Sequence, residues 1–523
     1  MQQPTEQQLA EAKSRVGGPY AWYVLGVLLL VYILNFIDRQ IMSILAEDIK
    51  ADLGVTDSEM GFLYGTVFGV FYALFGIPLG RLADMWNRTR LLTLGLGLWS
   101  AMTAASGLSG SFGQLAAARI GVGVGEATAS PVAYSVLSDY FPKEKRATAL
   151  SIYSSGIYVG GGMSLFLGGL TVDRWNAAFP GGGPFGIVGW QAAFLAVGLP
   201  GLVLALWIAT LREPIRGMSE GIIMPADPHP FRGFVRELGS VIPPFTLFSA
   251  MQAGGRALAV NLAALALAAL FFACMSAVAG NWPQWLAISI AGYAVFSWSQ
   301  SLKRRDPPTY KLIWQTPTFL ALVIAFGVIS MYNYSFGFWA APYAIRELGA
   351  VRATAGLFLG GGAALGGFLS IIIGGNVADR LRLTNPSGRL IVAFAAVLLP
   401  IPFVFTQFTT TSLPVFYAMS FGASLTGSLW VGLAAATFQD MVLPRMRGAA
   451  TATFLLGTTV IGLGMGPFLG GAFSELLGDL GHAMLALLLF TPIPLVLLAY
   501  AYRTLPAVEA NRIERARAAG EPI

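Results

Sequence analysis

The chain has 523 residues, 55% of them hydrophobic and only 11% charged, with a net charge of +6 at pH 7 and a mean hydropathy of +0.67. Soluble proteins carry about a quarter of their residues as charges, so this composition excludes an ordinary soluble domain and describes a polytopic membrane protein. The basic excess does not point to nucleic acid, because the cations sit mainly between apolar runs, where positive charge reports topology.

Residues 1–18 are polar and helix-prone, without the short apolar core and small-residue cleavage site of a signal peptide, so the first span is expected to insert uncleaved. About 20 apolar residues suffice to cross a bilayer as a helix. Such stretches fall at about 20–45, 57–79, 90–110, 112–138, 147–171 and 189–211, and again at about 316–344, 353–378, 388–407, 412–440, 447–474 and 480–502. The expected organisation is an N-terminal cytoplasmic segment (1–18), a six-helix half (19–211), a cytoplasmic linker (212–315), a second six-helix half (316–503) and a cytoplasmic tail (504–523). The linker starts polar and then carries two more apolar runs, Ala257 to Gly280 and Pro283 to Ser299, around the turn-like Asn281-Trp282-Pro283. An inserted helical hairpin fits them and makes fourteen spans; the alternative is a pair of helices lying on the membrane or against the bundle. With the amino terminus inside, twenty-six Lys and Arg fall in inside segments and only Lys50, Arg174, Arg346 and Arg352 outside. Both termini are therefore expected in the cytoplasm, with the chain in a bacterial inner membrane.

The two halves repeat. Gly80-Arg-Leu-Ala-Asp84 after the second span matches Gly375-Asn-Val-Ala-Asp379 in the second half. Asp139 and Arg146 are seven residues apart after the fourth span, as are Asp440 and Arg447 at the equivalent place, and a glycine-rich helix follows each pair. Duplicated six-helix halves describe a transporter with its substrate site near the midplane between them.

Three residues stand out inside apolar spans: Asp38, Arg119 and Glu126. A charge at bilayer depth costs about 2.5–3.5 kcal/mol on insertion scales and persists only if paired, hydrated or useful. At about 1.5 Å rise per residue, Asp38 and Arg119 both lie roughly 10 Å below the outer face. Arg119 and Glu126, seven apart, share one helix face.

The Gly80 to Asp84 stretch, continuing to Arg88 and Arg90, resembles the major facilitator superfamily signature, with departures at Met85, Asn87 and Thr89. Within that superfamily, Asn35-Phe-Ile-Asp38-Arg39-Gln40, the Arg119 to Glu126 stretch and Ser138 to Ala149 resemble the spinster family of lysolipid and sphingosine-phosphate transporters. The superfamily resemblance implies an all-α membrane fold in which the first and fourth spans meet beside a central cavity, so that Asp38, Arg119 and Glu126 converge. The expected device is a proton-responsive switch in which Arg119 pairs alternately with the two carboxylates. Burial favours a neutral carboxyl and a nearby arginine a charged one, so two carboxylates sharing one cation suit proton exchange. A fixed ion pair between helices is the alternative.

Arg39 points about 100° away from Asp38 around the helix. It serves either as a cation for an anionic headgroup or outer gate, or as a side chain snorkelling to the interface. Gly80, Asp84, Arg88 and Asp379 sit where the resemblance implies a cytoplasmic latch; simple helix capping would also place an aspartate there. Asp139 with Arg146, and Asp440 with Arg447, are expected as matching gate pairs or as solvated loop charges. In the second half, Tyr332, Asn333, Tyr334, Phe336 and Trp339, with Ser424 and Trp430, are polar-aromatic residues that suit a cavity for an amphipathic molecule and equally suit helix packing. No phosphate-loop motif is present, the glycine runs follow no strand, Cys274 stands alone, and His229 and His482 are far apart, so no enzyme activity, cofactor or metal site is expected. Together with the repeat and the buried charges, the resemblance implies a monomeric secondary transporter, proton-coupled or proton-gated, for a lysolipid- or sphingolipid-like substrate. An organic-anion and proton symporter, and a lipid receptor or scramblase, are the other readings.

Overall fold

The computed structural model describes residues 16–220 and 228–522. Most of the N-terminal segment, with Lys13 and Arg15, lies outside the described residues, as do linker residues 221–227. The first half comprises α1 (Pro19–Leu53), α2 (Asp57–Met85), α3 (Arg88–Ser106), α4 (Phe112–Glu126), α5 (Ala129–Tyr140), α6 (Lys143–Ala178) and α7 (Gly189–Ala209). The linker holds α8 (Pro230–Val241), α9 (Phe245–Gln252), α10 (Gly255–Ala279), α11 (Trp282–Arg305) and α12 (Pro307–Trp314). The second half comprises α13 (Pro317–Arg346), α14 (Arg352–Thr384), α15 (Gly388–Gln407), α16 (Leu413–Asp440), α17 (Pro444–Leu477) and α18 (Leu480–Ala510), followed by α19 (Arg512–Ala518). No strand occurs among the described residues.

Eleven of these helices are long and apolar enough to cross a membrane. The fourteen expected spans differ from that number for identifiable reasons. The fourth span is broken just after Glu126, where Ala127 and Thr128 form a turn between α4 and α5, so neither piece has membrane length alone. The helices α3 and α11 have the length but not the hydropathy. α1 runs eight residues past its expected end and carries Glu47, Asp48 and Lys50 on the extra turns, until Gly54 terminates it in the left-handed region at φ 66°. α18 continues to Ala510, through the boundary expected at 503, and the tail is held by Arg445 pairing with both Glu521 and Asp306.

The departures in the α2–α3 loop have local causes. Asn87 replaces the usual glycine because its side chain caps α3, accepting the Arg90 amide at 2.8 Å. Met85 lies against Gly233 of α8, and the Trp86 ring is 5.3 Å from that of Phe231. The linker thus docks on this loop through apolar contacts that a basic residue at position 85 would not make.

The halves meet mainly where α2 packs on α17 and α6 on α14, and these contacts are close only at one end. A Cβ on Gly61 would lie 2.3 Å from the Pro467 carbonyl oxygen, and one on Gly360 the same distance from the Gly162 oxygen. Ion pairs tie the halves at that end: Arg346 reaches Glu47 at 2.7 Å and Asp57 at 2.8 Å, and Arg352 reaches Asp48 at 2.7 Å. α11 enters the same seam. Gln284 donates to the Gly464 carbonyl at 3.1 Å, while Thr66 of α2 lies 2.5 Å from the Gln284 amide oxygen. At the opposite end nothing lies within 4 Å of a Cβ on Gly80 or Gly375. Close backbone contacts and ion pairs thus join the halves at the end bearing the α1–α2 connection, while Gly80 and Gly375, at the other end, face no neighbour.

Candidate functional site

Four charged side chains converge where α1 meets α4, one more than the sequence brought together. The ion pair is Arg39 with Glu126, at 2.7 Å from Nη2 and 3.2 Å from Nε. Arg119 was expected in that place. The 100° between Asp38 and Arg39 around α1 explains the exchange: Asp38 faces α3, where Thr103 Oγ1 donates to the carboxylate from 2.6 Å of each oxygen, and Arg39 faces α4. Arg39 neither snorkels nor reaches an outer mouth. It is buried against the rings of Phe36, Phe68 and Tyr72, all within 5.0 Å of its guanidinium carbon. Arg119 is fully buried, and none of its three side-chain nitrogens has a hydrogen-bond partner among the described residues. Its guanidinium stands 5.2 Å from the centre of the Phe68 ring, so Phe68 is flanked by both arginines. Thr103 and Phe68 gave no signal in the sequence beyond ordinary span residues.

Between the halves lies a cavity of ≈ 270 Å³. Tyr332, Asn333, Tyr334, Phe336 and Ser424 line it as expected; Trp339 and Trp430 do not. Trp339 is fully buried, donating to the Pro467 carbonyl at 2.9 Å, and Trp430 packs on Phe326 at 5.5 Å between ring centres. Both are packing residues, and helix direction rather than residue type separates them from the lining. Arg39 is likewise absent from the wall, which receives its neighbours Phe36 and Gln40 instead. Tyr158, Gln407 and Thr491 also line the cavity; they are single polar residues in apolar spans and carry no motif. No Asp, Glu, Lys, Arg or His contributes to the wall. Rings and aliphatic groups therefore supply its area, and amides and hydroxyls its polarity.

Two six-helix halves enclosing such a cavity match the model of the Major Facilitator Superfamily over residues 28–460. The chain belongs to the major facilitator superfamily. It is an integral membrane transporter of that family, and it resembles spinster. Similar proteins include an MFS-type efflux pump of Mycolicibacterium smegmatis, 28% identical over 482 residues and covering 90% of each chain. Protein spinster homolog 1 of Xenopus tropicalis is 24% identical over 489 residues, covering 89% of this chain and 75% of its own length. Among solved structures, a bacterial homologue of the human lysosomal transporter Spinster, in an inward-facing and occupied conformation, is 25% identical with a TM-score of 0.64, covering 97% of this transporter and 98% of that chain.

The residues expected to form gate pairs are regrouped in the structure. Asp139 pairs with Arg88 at 2.5 Å, not with Arg146; Arg88 is 1% exposed and also binds Glu213 at 2.7 Å. Arg146 turns to Glu220 at 2.9 Å, and that guanidinium holds the Glu220 carboxyl below the usual carboxylate range. In the second half Asp440 pairs with Arg389 at 2.6 Å, while Arg447 is exposed. The real repeat is thus Arg88 with Asp139 and Arg389 with Asp440, each pair separated by 51 residues. Arg389 is the counterpart of Arg88 in the register of Asp139 and Asp440, which differs by six residues from that of the Gly80 and Gly375 stretches. Asp84 and Asp379 lie near the C-terminal ends of α2 and α14, so neither caps a helix start, and both are exposed, Asp379 at 3.8 Å from Arg389.

Proposed function

We propose that this protein is a secondary active transporter of an amphipathic, lysolipid- or sphingolipid-like molecule, working by alternating access with a proton exchanged at the Asp38–Arg119 position. The observation that carries the substrate reading is the cavity wall, where Tyr332, Phe336 and Phe36 offer rings for an acyl chain and Asn333, Gln407 and Ser424 offer amides and a hydroxyl for a headgroup. A small organic anion would gain little from those rings, which weighs against the symporter reading. The efflux-pump and spinster relatives are in keeping with an amphiphile.

The coupling reading rests on an ion pair that this conformer leaves unmade. Asp38 is held by Thr103 and Arg119 by a ring face. A proton on Asp38 removes the need for a cation and leaves Arg119 apart. Loss of the proton leaves a buried carboxylate whose matching charge is Arg119, and forming that pair moves α1 against α4. Arg39 with Glu126 then acts as the fixed member of the cluster. In the proposed topology the hairpin α10–α11 spans the membrane, giving fourteen crossings counted with α3 and the α4–α5 span. Both termini face the cytoplasm of a bacterial cell, the chain works as a monomer, and the end bearing the duplicated Gly-to-Asp stretches is the cytoplasmic one.

Purified protein in proteoliposomes with an imposed pH gradient and a fluorescent lysophospholipid tests the reading. Concentrative uptake that responds to the gradient is expected, together with loss of that response in Asp38→Asn. Flux that merely equilibrates would make the protein a facilitator. Retained binding without flux would make it a receptor. A pH response preserved in Asp38→Asn would sink the proton switch.

A further inference from the structure

The linker helices α8 and α9 carry an exposed face that the transport cycle does not use. On α8 the exposed residues fall in two adjacent rows at helical spacing, Phe231 with Val235 and Arg232 with Arg236. On α9 Phe248 is 59% exposed, and Arg256 stands exposed at the first turn of α10. The acidic residue of α8, Glu237, is already taken by Arg305 at 2.6 Å. Among the described residues, the guanidinium groups of Arg232, Arg236 and Arg256 have no ion-pair or hydrogen-bond partner.

The neighbouring helix fixes what this face meets. α10 is 25 residues long, and its most hydrophobic stretch has no buried residue, a surface tolerable only against lipid acyl chains. Arg256 marks where that helix leaves the acyl region. α8 and α9 lead directly into it, so their exposed face lies at the headgroup level. An apolar row beside a cationic row is the pattern by which a helix lies in a bilayer interface, with rings in the acyl boundary and cations on lipid phosphates.

We propose that α8, α9 and the first turn of α10 form a docking surface for anionic phospholipid headgroups, with Phe231, Val235 and Phe248 set into the acyl boundary and Arg232, Arg236 and Arg256 on the phosphates. The surface is also coupled to the gate region. Phe231 contacts Trp86, Gly233 contacts Met85, and Glu237 holds the end of α11. Anionic lipid that seats α8 therefore steadies the α2–α3 loop. The inference does not depend on what the central cavity carries.

The test places a spin label at Val235→Cys in full-length protein lacking Cys274, in nanodiscs of phosphatidylcholine alone or with about 30% phosphatidylglycerol. Collision with a water-soluble nickel reagent then reports how deep the label sits. Each arginine at an anionic surface is worth about fivefold in partition, roughly thirtyfold for Arg232 and Arg236 together. The label is expected to lose nickel accessibility when phosphatidylglycerol is added, to regain it in high salt, and to show no response in Arg232→Gln/Arg236→Gln. A label equally deep in both lipids, a label in water in both, or a response that survives the double substitution would each overturn the proposal, the second in favour of a protein partner or bare solvent.

Discussion

Arg39 shows how little a residue's type says about its partner. A step of one residue along α1 turns the side chain from α3 to α4, and it is Arg39 that neutralises Glu126 while Arg119 stands without a hydrogen bond. Counting Arg39, the cluster holds two cations and two carboxylates, so the excess of carboxylates expected from Asp38, Arg119 and Glu126 alone disappears. The case for a proton moves to the unmade Asp38–Arg119 pair. Removing one partner of a buried ion pair costs roughly 3–5 kcal/mol, because the other charge stays buried. Arg39→Gln is therefore expected to lower the thermal unfolding midpoint in detergent sharply, and Arg39→Gln/Glu126→Gln to recover much of the loss. Arg119→Gln removes a charge that makes no hydrogen bond here and is expected to cost less than Arg39→Gln. An equal cost would mean that Arg119 is paired in the resting protein.

The helices themselves were largely readable, because an apolar run long enough to cross a bilayer leaves the backbone no option but to satisfy its own hydrogen bonds. Their ends and breaks were not: the turn after Glu126 and the extension of α1 to Gly54 depend on local caps and packing. Contacts between helices were legible only as a density of glycines, without saying which glycine meets which carbonyl. Gly61 is one that does, lying under the Pro467 carbonyl. Gly61→Ala sets a methyl against backbone, and overpacking of this kind costs roughly 1–3 kcal/mol, borne only by the closed conformer. The expected outcome is a longer spin-label distance between the closed-end tips of α2 and α17. Gln284→Ala is expected to act in the same direction, since it removes the side chain through which α11 holds Gly464. An unchanged distance in both variants would show that this seam does not set the conformation.

At the scale of the molecule, the two halves are held together at one end by a few charge clusters. Arg346 bridges Glu47 and Asp57 from the opposite half while 25% exposed. Partly exposed pairs of this kind contribute up to about 1 kcal/mol each, enough together to move a two-state population about tenfold. Arg346→Gln is thus expected to raise the population open at that end, read as increased labelling of a cysteine placed in the cavity wall by a membrane-impermeant thiol reagent added on that side. The sequence by itself determined the all-helical membrane fold, the duplicated halves, the polar-aromatic character of the second-half lining and the presence of costly charges in the first half, because hydrophobic length and internal repetition are properties of the chain read in one dimension. The tertiary structure alone decided which arginine neutralises Glu126, which tryptophans pack instead of lining the cavity, which arginine Asp139 binds and at which end the halves join. Each of those outcomes turns on helix rotation and interhelical distance, where a shift of one residue or a few ångströms exchanges one partner for another.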